Sequence, residues 1–93
     1  MREIEYSASF NRDYRKVKAS PRHSQDIDSR LAGIVPLLCD DRPLPASNRD
    51  HPLAGAWNGH RECHVKPDLL LIYRKPDKET LHLVRLGSHS DLF

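Results

Sequence analysis

Alternating and periodic hydrophobic positions predict a strand followed by a helix at the start of the chain. Residues 3–6 alternate between polar and apolar side chains, as a half-buried strand does. Ser7 or Ser9 is a suitable N-cap for the helix that follows. The apolar side chains of this helix recur at helical spacing, and they are Phe10, Tyr14 and Val17.

A second helix is predicted after residues 20–22, where a proline interrupts the pattern. Ser24 is its expected N-cap, and its apolar stripe consists of Ile27, Leu31, Ile34 and Leu38. Pro36 conflicts with this helix, because an interior proline removes a hydrogen bond and crowds the preceding turn. We therefore expect a kink or a break near residues 32–33, and we expect the two helices to form an antiparallel hairpin.

Three further strands are predicted in the second half of the chain, at about residues 57–65, 69–74 and 80–86. A loop rich in Pro, Asp, Asn and Ser, residues 41–55, precedes them. The turns at residues 66–68 and 76–78 are too short for a crossover helix, so the strands must form an antiparallel meander. Residues 88–93 are expected to be a short tail. The pattern predicts one α+β domain over residues 1–93, with the helices on one face of the sheet.

Composition narrows the class of protein. A chain of 93 residues supports a single core, and its net charge of +2 permits nucleic acid binding without requiring it. No apolar stretch approaches the length of about 20 residues that a membrane span needs. Residues 1–5 lack the apolar core of a signal peptide, so a reducing cytoplasm is expected. The two cysteines form neither a disulfide scaffold nor a four-ligand zinc site by themselves.

The spacing of candidate ligands and nucleophiles argues against two common kinds of site. His60 and His64 lie in a predicted strand, where they would be about 13 Å apart, and Cys63 would point to the opposite face. We therefore expect no metal site there, and we interpret Cys63 as a small buried residue. The run from Ser88 to Asp91 contains the residue types of a catalytic triad, but adjacent residues cannot converge as a triad requires.

The candidate function that remains is acid–base catalysis on a phosphodiester. It needs a base, an acid and a cation on the phosphate, and RNA supplies its own 2′-hydroxyl as the nucleophile. His64, Asp68, Arg85 and His89 lie at strand ends that an antiparallel meander can bring to one edge. Each also has a plain structural interpretation: Asp68 can stabilise a Pro-Asp turn, and Arg85 and the histidines can be solvated surface residues.

A specific motif extends over residues 44–93. It consists of Leu44-Pro45, Asp50-His51-Pro52-Leu53, Gly55-x-Trp57-x-Gly59-x-Arg61-Glu62-Cys63-His64-Val65-x-Pro67-Asp68, Leu71-Ile72-Tyr73 and Arg85-x-Gly87-Ser88-His89-Ser90-Asp91-Leu92-Phe93. The motif resembles the YafQ branch of the RelE/ParE-type toxins. The resemblance implies a RelE-like fold and a type II toxin–antitoxin system, in which the toxin is a small ribonuclease that needs no metal cofactor. Such a toxin enters the ribosomal A site and cuts mRNA there.

The resemblance also implies partners and site residues. An antitoxin would silence the toxin, and the complex would contact operator DNA only through the antitoxin. The functional positions of the family fall on His51, His64, Asp68, Arg85, His89 and Phe93. We expect His89 to be the base, His64 and Asp68 to supply or position the acid, and Arg85 and His51 to stabilise the phosphate. Phe93 would stack on a base, and Arg61 is also expected to bind substrate.

Two departures from the family pattern and two rival functions bear on this interpretation. Leu69 stands where an aromatic residue is common, which affects codon preference, and Pro36 affects how an antitoxin would dock. The rival functions are a gyrase poison of the same superfamily and an inactive homologue that only binds antitoxin. Neither needs the set of histidines and acids described above.

Overall fold

The computed structural model describes residues 1–93, and it contains five strands and three α-helices. Their bounds are β1 Glu3–Tyr6, α1 Ala8–Ala19, α2 Ile27–Cys39, β2 His51–Pro52, β3 Arg61–Lys66, β4 Leu69–Arg74, β5 Thr80–Gly87 and α3 His89–Leu92. Two 3₁₀ turns, Ala46–Asn48 and Gly55–Trp57, flank β2. None of the helices combines the length and the apolar character that a membrane crossing requires.

All five strands belong to one sheet, in the order β1-β5-β4-β3-β2. The strands β3, β4 and β5 pair antiparallel in sequence order, which confirms the predicted meander. The sheet extends beyond the meander on both sides. The first strand, β1, pairs parallel with β5 at one edge, and the two-residue β2 pairs antiparallel with β3 at the other.

The sheet buries a different apolar cluster on each face. On one face, Leu69, Leu71 and Tyr73 of β4 pack with the inward residues of α1 and α2. On the other face, Leu70 and Ile72 pack with a smaller group that includes Leu53, Trp57, Val84 and Leu92. This arrangement explains the continuous apolar sequence of β4, because both faces of a central strand are covered. The second face, which α1 and α2 do not cover, is called the open face below.

The helix layer follows the predicted pattern except at the start of α2 and in its course through Pro36. Ser7 caps α1, because its side-chain oxygen accepts a hydrogen bond from the Phe10 amide at 2.8 Å. The helix continues from Ile27 to Cys39 with Pro36 inside it, so the expected break in α2 is wrong, and the expected kink stays a prediction. Pro36 and Ala32, four residues earlier, are both exposed, so the carbonyl that lacks a helical donor can bond to water.

Several boundaries also differ from the predictions. The residue before α2 is Asp26 and not Ser24. The strand expected from residue 57 begins at Arg61, because Gly55 and Gly59 adopt positive φ angles of 65° and 86° in a turn. The tail at residues 88–93 contains a short helix, α3. Cys63 is fully buried, in agreement with its interpretation as a small core residue.

Candidate functional site

One cross-strand row on the sheet carries three polar residues of the motif. His51 of β2 pairs with Glu62 of β3, Glu62 pairs with Ile72 of β4, and Ile72 pairs with Arg85 of β5. Directly paired residues share a face, and Ile72 belongs to the open face. Neighbouring strands are about 4.8 Å apart, so the ends of this row are about 14 Å apart. The row therefore extends across four strands of the sheet.

A second row lies nearer the ends of the strands. His64 pairs with Leu70, and Leu70 pairs with Gly87, two residues before His89. The sheet therefore places His64 and the start of α3 at the same end of the open face. This position agrees with the sequence argument that the ends of the meander strands meet at one edge.

Glu62 was not selected from the sequence, yet its carboxylate lies between two candidate histidines. Its Oε1 is 3.8 Å from Nε2 of His51 and 3.8 Å from Nε2 of His64, and its side chain is only 8% exposed. Nδ1 of His51 is 2.6 Å from the Arg49 carbonyl oxygen. A carbonyl oxygen only accepts hydrogen bonds, so Nδ1 carries the proton and Nε2 faces the carboxylate. The Glu62 carboxylate therefore faces one ring nitrogen of each histidine.

Arg85 is held by an acidic residue of α1. Its Nε and Nη2 donate to the Asp13 carboxylate at 2.7 Å and 3.1 Å. The hydrogen bond with Asp13 raises the pKa of Arg85, so the guanidinium stays charged. The sequence did not single out Asp13, because nothing in the spacing connects α1 to β5.

Asp68 takes a different position from the one expected. Its Oδ2 forms an ion pair with Nε of Arg22 at 2.9 Å, and both side chains are well exposed. Arg22 lies in the connection between α1 and α2, so Asp68 is directed toward the helix layer. The structure shows no hydrogen bond or ion pair between Asp68 and the other candidate residues.

An aromatic strip borders the site on the open face. The ring centroids of His89 and Phe93 are 5.0 Å apart, and those of Phe93 and Trp57 are 6.3 Å apart. Trp57 in turn contacts the ring of His60 at 5.3 Å. Phe93 is half-exposed, which leaves a face for a base. The motif contained Trp57, but its place beside Phe93 depends on the turn at Gly55–Trp57 and could not be read from spacing.

Arg61 lies apart from the two rows. It pairs with Tyr73, whose side chain belongs to the helix-covered face. Asp50 joins the two: its carboxylate accepts from the Tyr73 hydroxyl at 2.6 Å and from the Arg61 guanidinium at 3.4 Å. This cluster ties the segment before β2 to the centre of the sheet. A role for Arg61 in substrate binding stays a prediction.

The chain is similar to characterised toxins over its whole length. A family described as "Bacterial toxin of type II toxin-antitoxin system, YafQ" matches residues 2–93. The mRNA interferase toxin YafQ of Escherichia coli K12 is 40% identical over 92 residues, which are 99% of this chain and 96% of the relative.

Two solved structures show the same fold. A copper-bound mutant toxin from Helicobacter pylori superposes with a TM-score of 0.88 at 39% identity, with 100% of each chain covered. The toxin in the E. coli DinJ–YafQ complex superposes with a TM-score of 0.82 at 37% identity. That match covers 100% of this chain and 99% of the E. coli chain.

Proposed function

The chain belongs to the YafQ family of toxins of bacterial type II toxin–antitoxin systems, and from this premise we propose that it is an mRNA endoribonuclease that acts on the ribosome and inhibits translation. The observation that carries the proposal is the arrangement of polar residues on the open face of the sheet. The Glu62 carboxylate lies between His51 and His64, and Glu62 belongs to the cross-strand row that ends at Arg85. Residues able to transfer protons lie on this face, and a guanidinium able to bind phosphate lies at the adjacent edge of β5, where Arg85 bonds to Asp13. The E. coli relative, 40% identical, is an mRNA interferase.

The proposed reaction is a transfer of the phosphate within RNA. The 2′-oxygen attacks the adjacent phosphorus, the bond from phosphorus to the 5′-oxygen breaks, and a 2′,3′-cyclic phosphate forms. A base removes the proton of the 2′-hydroxyl, and an acid donates a proton to the departing 5′-oxygen. No outside reactant is needed, because both protons and both bonds are accounted for within substrate and protein.

Histidines supply the proton transfers in this proposal. His89 is the base, since it is exposed at the start of α3 and lies beside the aromatic strip. His64 is the acid, since its Nε2 lies 3.8 Å from Oε1 of Glu62 at the end of the open face where α3 begins. Asp68 has a positioning role, because its ion pair with Arg22 fixes the turn between β3 and β4.

The remaining residues bind the substrate. Arg85 and His51, at the two ends of the Glu62 row, stabilise charge on the phosphate backbone. Phe93 offers its exposed face to a base of the message, and Trp57 supports it from the side. Leu69, which is fully buried on the helix-covered face, contributes no stacking surface of its own.

Because the H. pylori relative binds copper, the side chains of this chain are considered as ligands for a metal ion. In this chain no group of three or more His, Cys, Asp or Glu side chains is arranged to hold a metal ion. At the proposed site, Nε2 of His51 and Nε2 of His64 are each 3.8 Å from Oε1 of Glu62. No step of the proposed mechanism therefore passes through a metal.

Dependence on the ribosome follows from the weak net charge of +2. Phosphate neutralisation supplies most of nonspecific affinity for nucleic acid, so a nearly neutral protein needs another component to place the message. The test is incubation of the purified chain with translating ribosomes, followed by mapping of the RNA ends. Cleavage within A-site codons supports the proposal. Efficient cleavage of free RNA at physiological salt contradicts ribosome dependence, and inhibition of gyrase without cleavage supports the rival function.

An antitoxin is the second proposed partner, since the E. coli relative forms a complex with DinJ. We expect an acidic segment that folds when it binds. The first helix carries a set of basic residues that suits such a segment, namely Arg12, Arg15, Lys16 and Lys18. Lys18 already pairs with Asp28, whereas Arg15 and Lys16 are exposed. In this proposal operator DNA is reached through the antitoxin, and a toxin that acts on ribosomes works in the cytoplasm and needs no membrane partner.

A further inference from the structure

The last part of β5 has no strand beside it on one edge. The first strand, β1, ends at Tyr6, which pairs with Leu83. Beyond that point the chain leaves the sheet to form α1, and the amide of Leu86 has no strand partner on this side. The Asp13 carboxylate takes the place of the missing strand, because its Oδ2 accepts a hydrogen bond from that amide at 3.0 Å.

A β-bulge directs Arg85 toward the same carboxylate. Tyr73 pairs with Leu83 and Ile72 pairs with Arg85, so Val84 is an extra residue in β5. The Ser7 hydroxyl donates to the Val84 carbonyl oxygen at 2.6 Å and fixes the bulge to the start of α1. The Arg85 side chain extends across the free edge of β5 to Asp13 on the same helix.

The contact between Asp13 and Arg85 uses one side of the guanidinium. Nε and Nη2 donate to the two carboxylate oxygens, which leaves Nη1 without a protein partner. The Asp13 side chain is 14% exposed and that of Arg85 is 30% exposed. A two-point contact with a fixed, largely buried carboxylate therefore orients the remaining donors of Arg85 before any substrate arrives.

We propose that Asp13 is a positioning residue that orients Arg85 for the substrate phosphate. The inference rests on the proposed function, in which Arg85 contacts the phosphate. An arginine loses side-chain conformational entropy when it binds an anion. If a neighbouring residue already restricts the rotamers of Arg85, less entropy is lost when Arg85 binds the phosphate in the transition state. Asp13 itself does not touch the substrate, since both its oxygens are engaged by Arg85 and the Leu86 amide.

The test compares Asp13→Asn with the matched variant Asp28→Asn. Asp28 also pairs with a cation of the helix layer, Lys18, but its carboxylate makes no hydrogen bond or ion pair with β5. Asn has nearly the shape of Asp, but it carries no charge and can accept at only one of its two positions. Single-turnover cleavage on mRNA-programmed ribosomes is expected to fall about 10- to 100-fold in Asp13→Asn and to stay unchanged in Asp28→Asn.

A double-mutant cycle separates positioning from folding. In the Arg85→Ala background, Asp13→Asn should have no further effect on the cleavage rate, because the residue through which it acts is gone. The NMR signal of the Arg85 Nε–H should also broaden or shift in Asp13→Asn and remain as in the wild type in Asp28→Asn. An equal loss in the Arg85→Ala background would show that Asp13 acts by another route and would overturn the inference.

The outcomes for this inference and for the proposed function are distinct. If the wild type cleaves and Asp13→Asn cleaves equally well, the positioning role is wrong and the ribonuclease proposal stands. If the wild type does not cleave on ribosomes at all, the ribonuclease proposal is wrong, and the positioning role is wrong with it. A wild type that cleaves, together with a defect in Asp13→Asn that disappears without Arg85, supports both.

Discussion

Ser88 and Asp91 each bond to the other's backbone at the start of α3. The Ser88 hydroxyl oxygen accepts from the Asp91 amide at 3.2 Å, and the Asp91 carboxylate accepts from the Ser88 amide at 3.2 Å. This capping box satisfies two amides that a helix of four residues would otherwise leave free. His89 is the first residue of that helix, so its backbone position depends on the pair.

The first prediction concerns this cap. Asp91→Ala removes one half of the box, and loss of a helix cap typically costs about 1 kcal/mol. We expect α3 to fray and cleavage on ribosomes to fall by about tenfold, while the rest of the domain stays folded. Hydrogen exchange at residues 89–93 and single-turnover cleavage measure the two effects. Asp40→Ala, an exposed acid at the end of α2, is the control. Unchanged cleavage despite faster exchange would contradict the link between the cap and His89.

The second prediction concerns His89 itself. General acid–base catalysis usually contributes about 10²- to 10⁴-fold, so His89→Ala should lower the cleavage rate by that factor. Its side chain is exposed, and such substitutions usually change the free energy of unfolding within about ±0.5 kcal/mol. His82→Ala is the matched control, since His82 lies on β5 five residues before Gly87. A thermal melt and the ribosome assay report both quantities. Near-normal cleavage by His89→Ala would assign the base to another residue.

The sheet was predictable because its strands have clear local patterns. Residues of β4 are apolar throughout, and the two short turns on either side leave only an antiparallel meander. In contrast, β2 has two residues and α3 has four. Segments this short do not show the hydrophobic repeat of a strand or of a helix. The path of α2 through Pro36 was also not predictable, because it depends on which face of the helix meets water.

The candidate site was predictable only to the level of strand position. The register of the meander brings His64 and Arg85 toward one end of the sheet, as the strand order suggests. The partners of these residues were not predictable. Asp13 reaches Arg85 from a helix 72 residues away in sequence, and Arg22 draws Asp68 toward the helix layer. Such contacts depend on the packing of two layers, which no spacing in the sequence encodes.

The third prediction concerns the two buried thiols. Burial raises the pKa of the Cys63 thiol from 9.0 to about 12. A raised pKa leaves less of the nucleophilic thiolate at a given pH. We expect iodoacetamide to modify Cys39, which is 4% exposed, before Cys63, which is fully buried. Peptide mapping over time measures the order. Equal rates for the two thiols under native conditions would contradict the packing of β3 described above.

The fourth prediction is a pH dependence of stability at Asp41. Hydrogen bonds from Arg2 and then Lys75 lower the pKa of this carboxyl from 3.8 to about 2. A folded-state pKa below the unfolded one stabilises the protein above the unfolded value, and the contribution is lost as pH falls toward 2. Asp41→Asn should therefore lower the melting temperature at pH 6 and have a much smaller effect near pH 2.

The control for this pH dependence is the neighbouring Asp40→Asn, whose carboxylate makes no hydrogen bond or ion pair in the structure. It should shift the melting temperature little at either pH. The expected effect at Asp41 is modest, since the side chain is more than half exposed and solvent screens the pair. Melting curves that fall in parallel for wild type and Asp41→Asn between pH 6 and pH 2 would show that the ion pairs do not stabilise the fold.

The last prediction concerns the antitoxin. Arg15 and Lys16 are exposed on α1 without an ion-pair partner, so an acidic segment can meet them directly. Charge reversal of both to Glu should weaken binding to the cognate antitoxin by about tenfold or more, with most of the loss in the association rate and a smaller salt dependence. Surface plasmon resonance at two salt concentrations measures both.

The matched control for charge reversal is a second pair of exposed basic residues, Arg42 and Lys78, which lie in loops outside the helices. Reversal of both to Glu changes the net charge by the same amount, so a purely global effect of charge would lower the association rate equally. If α1 is the docking surface, only the Arg15 and Lys16 variant loses affinity, although both variants keep the wild-type melting temperature. Equal affinity of the two variants would mean that the basic residues of α1 only solvate an exposed helix.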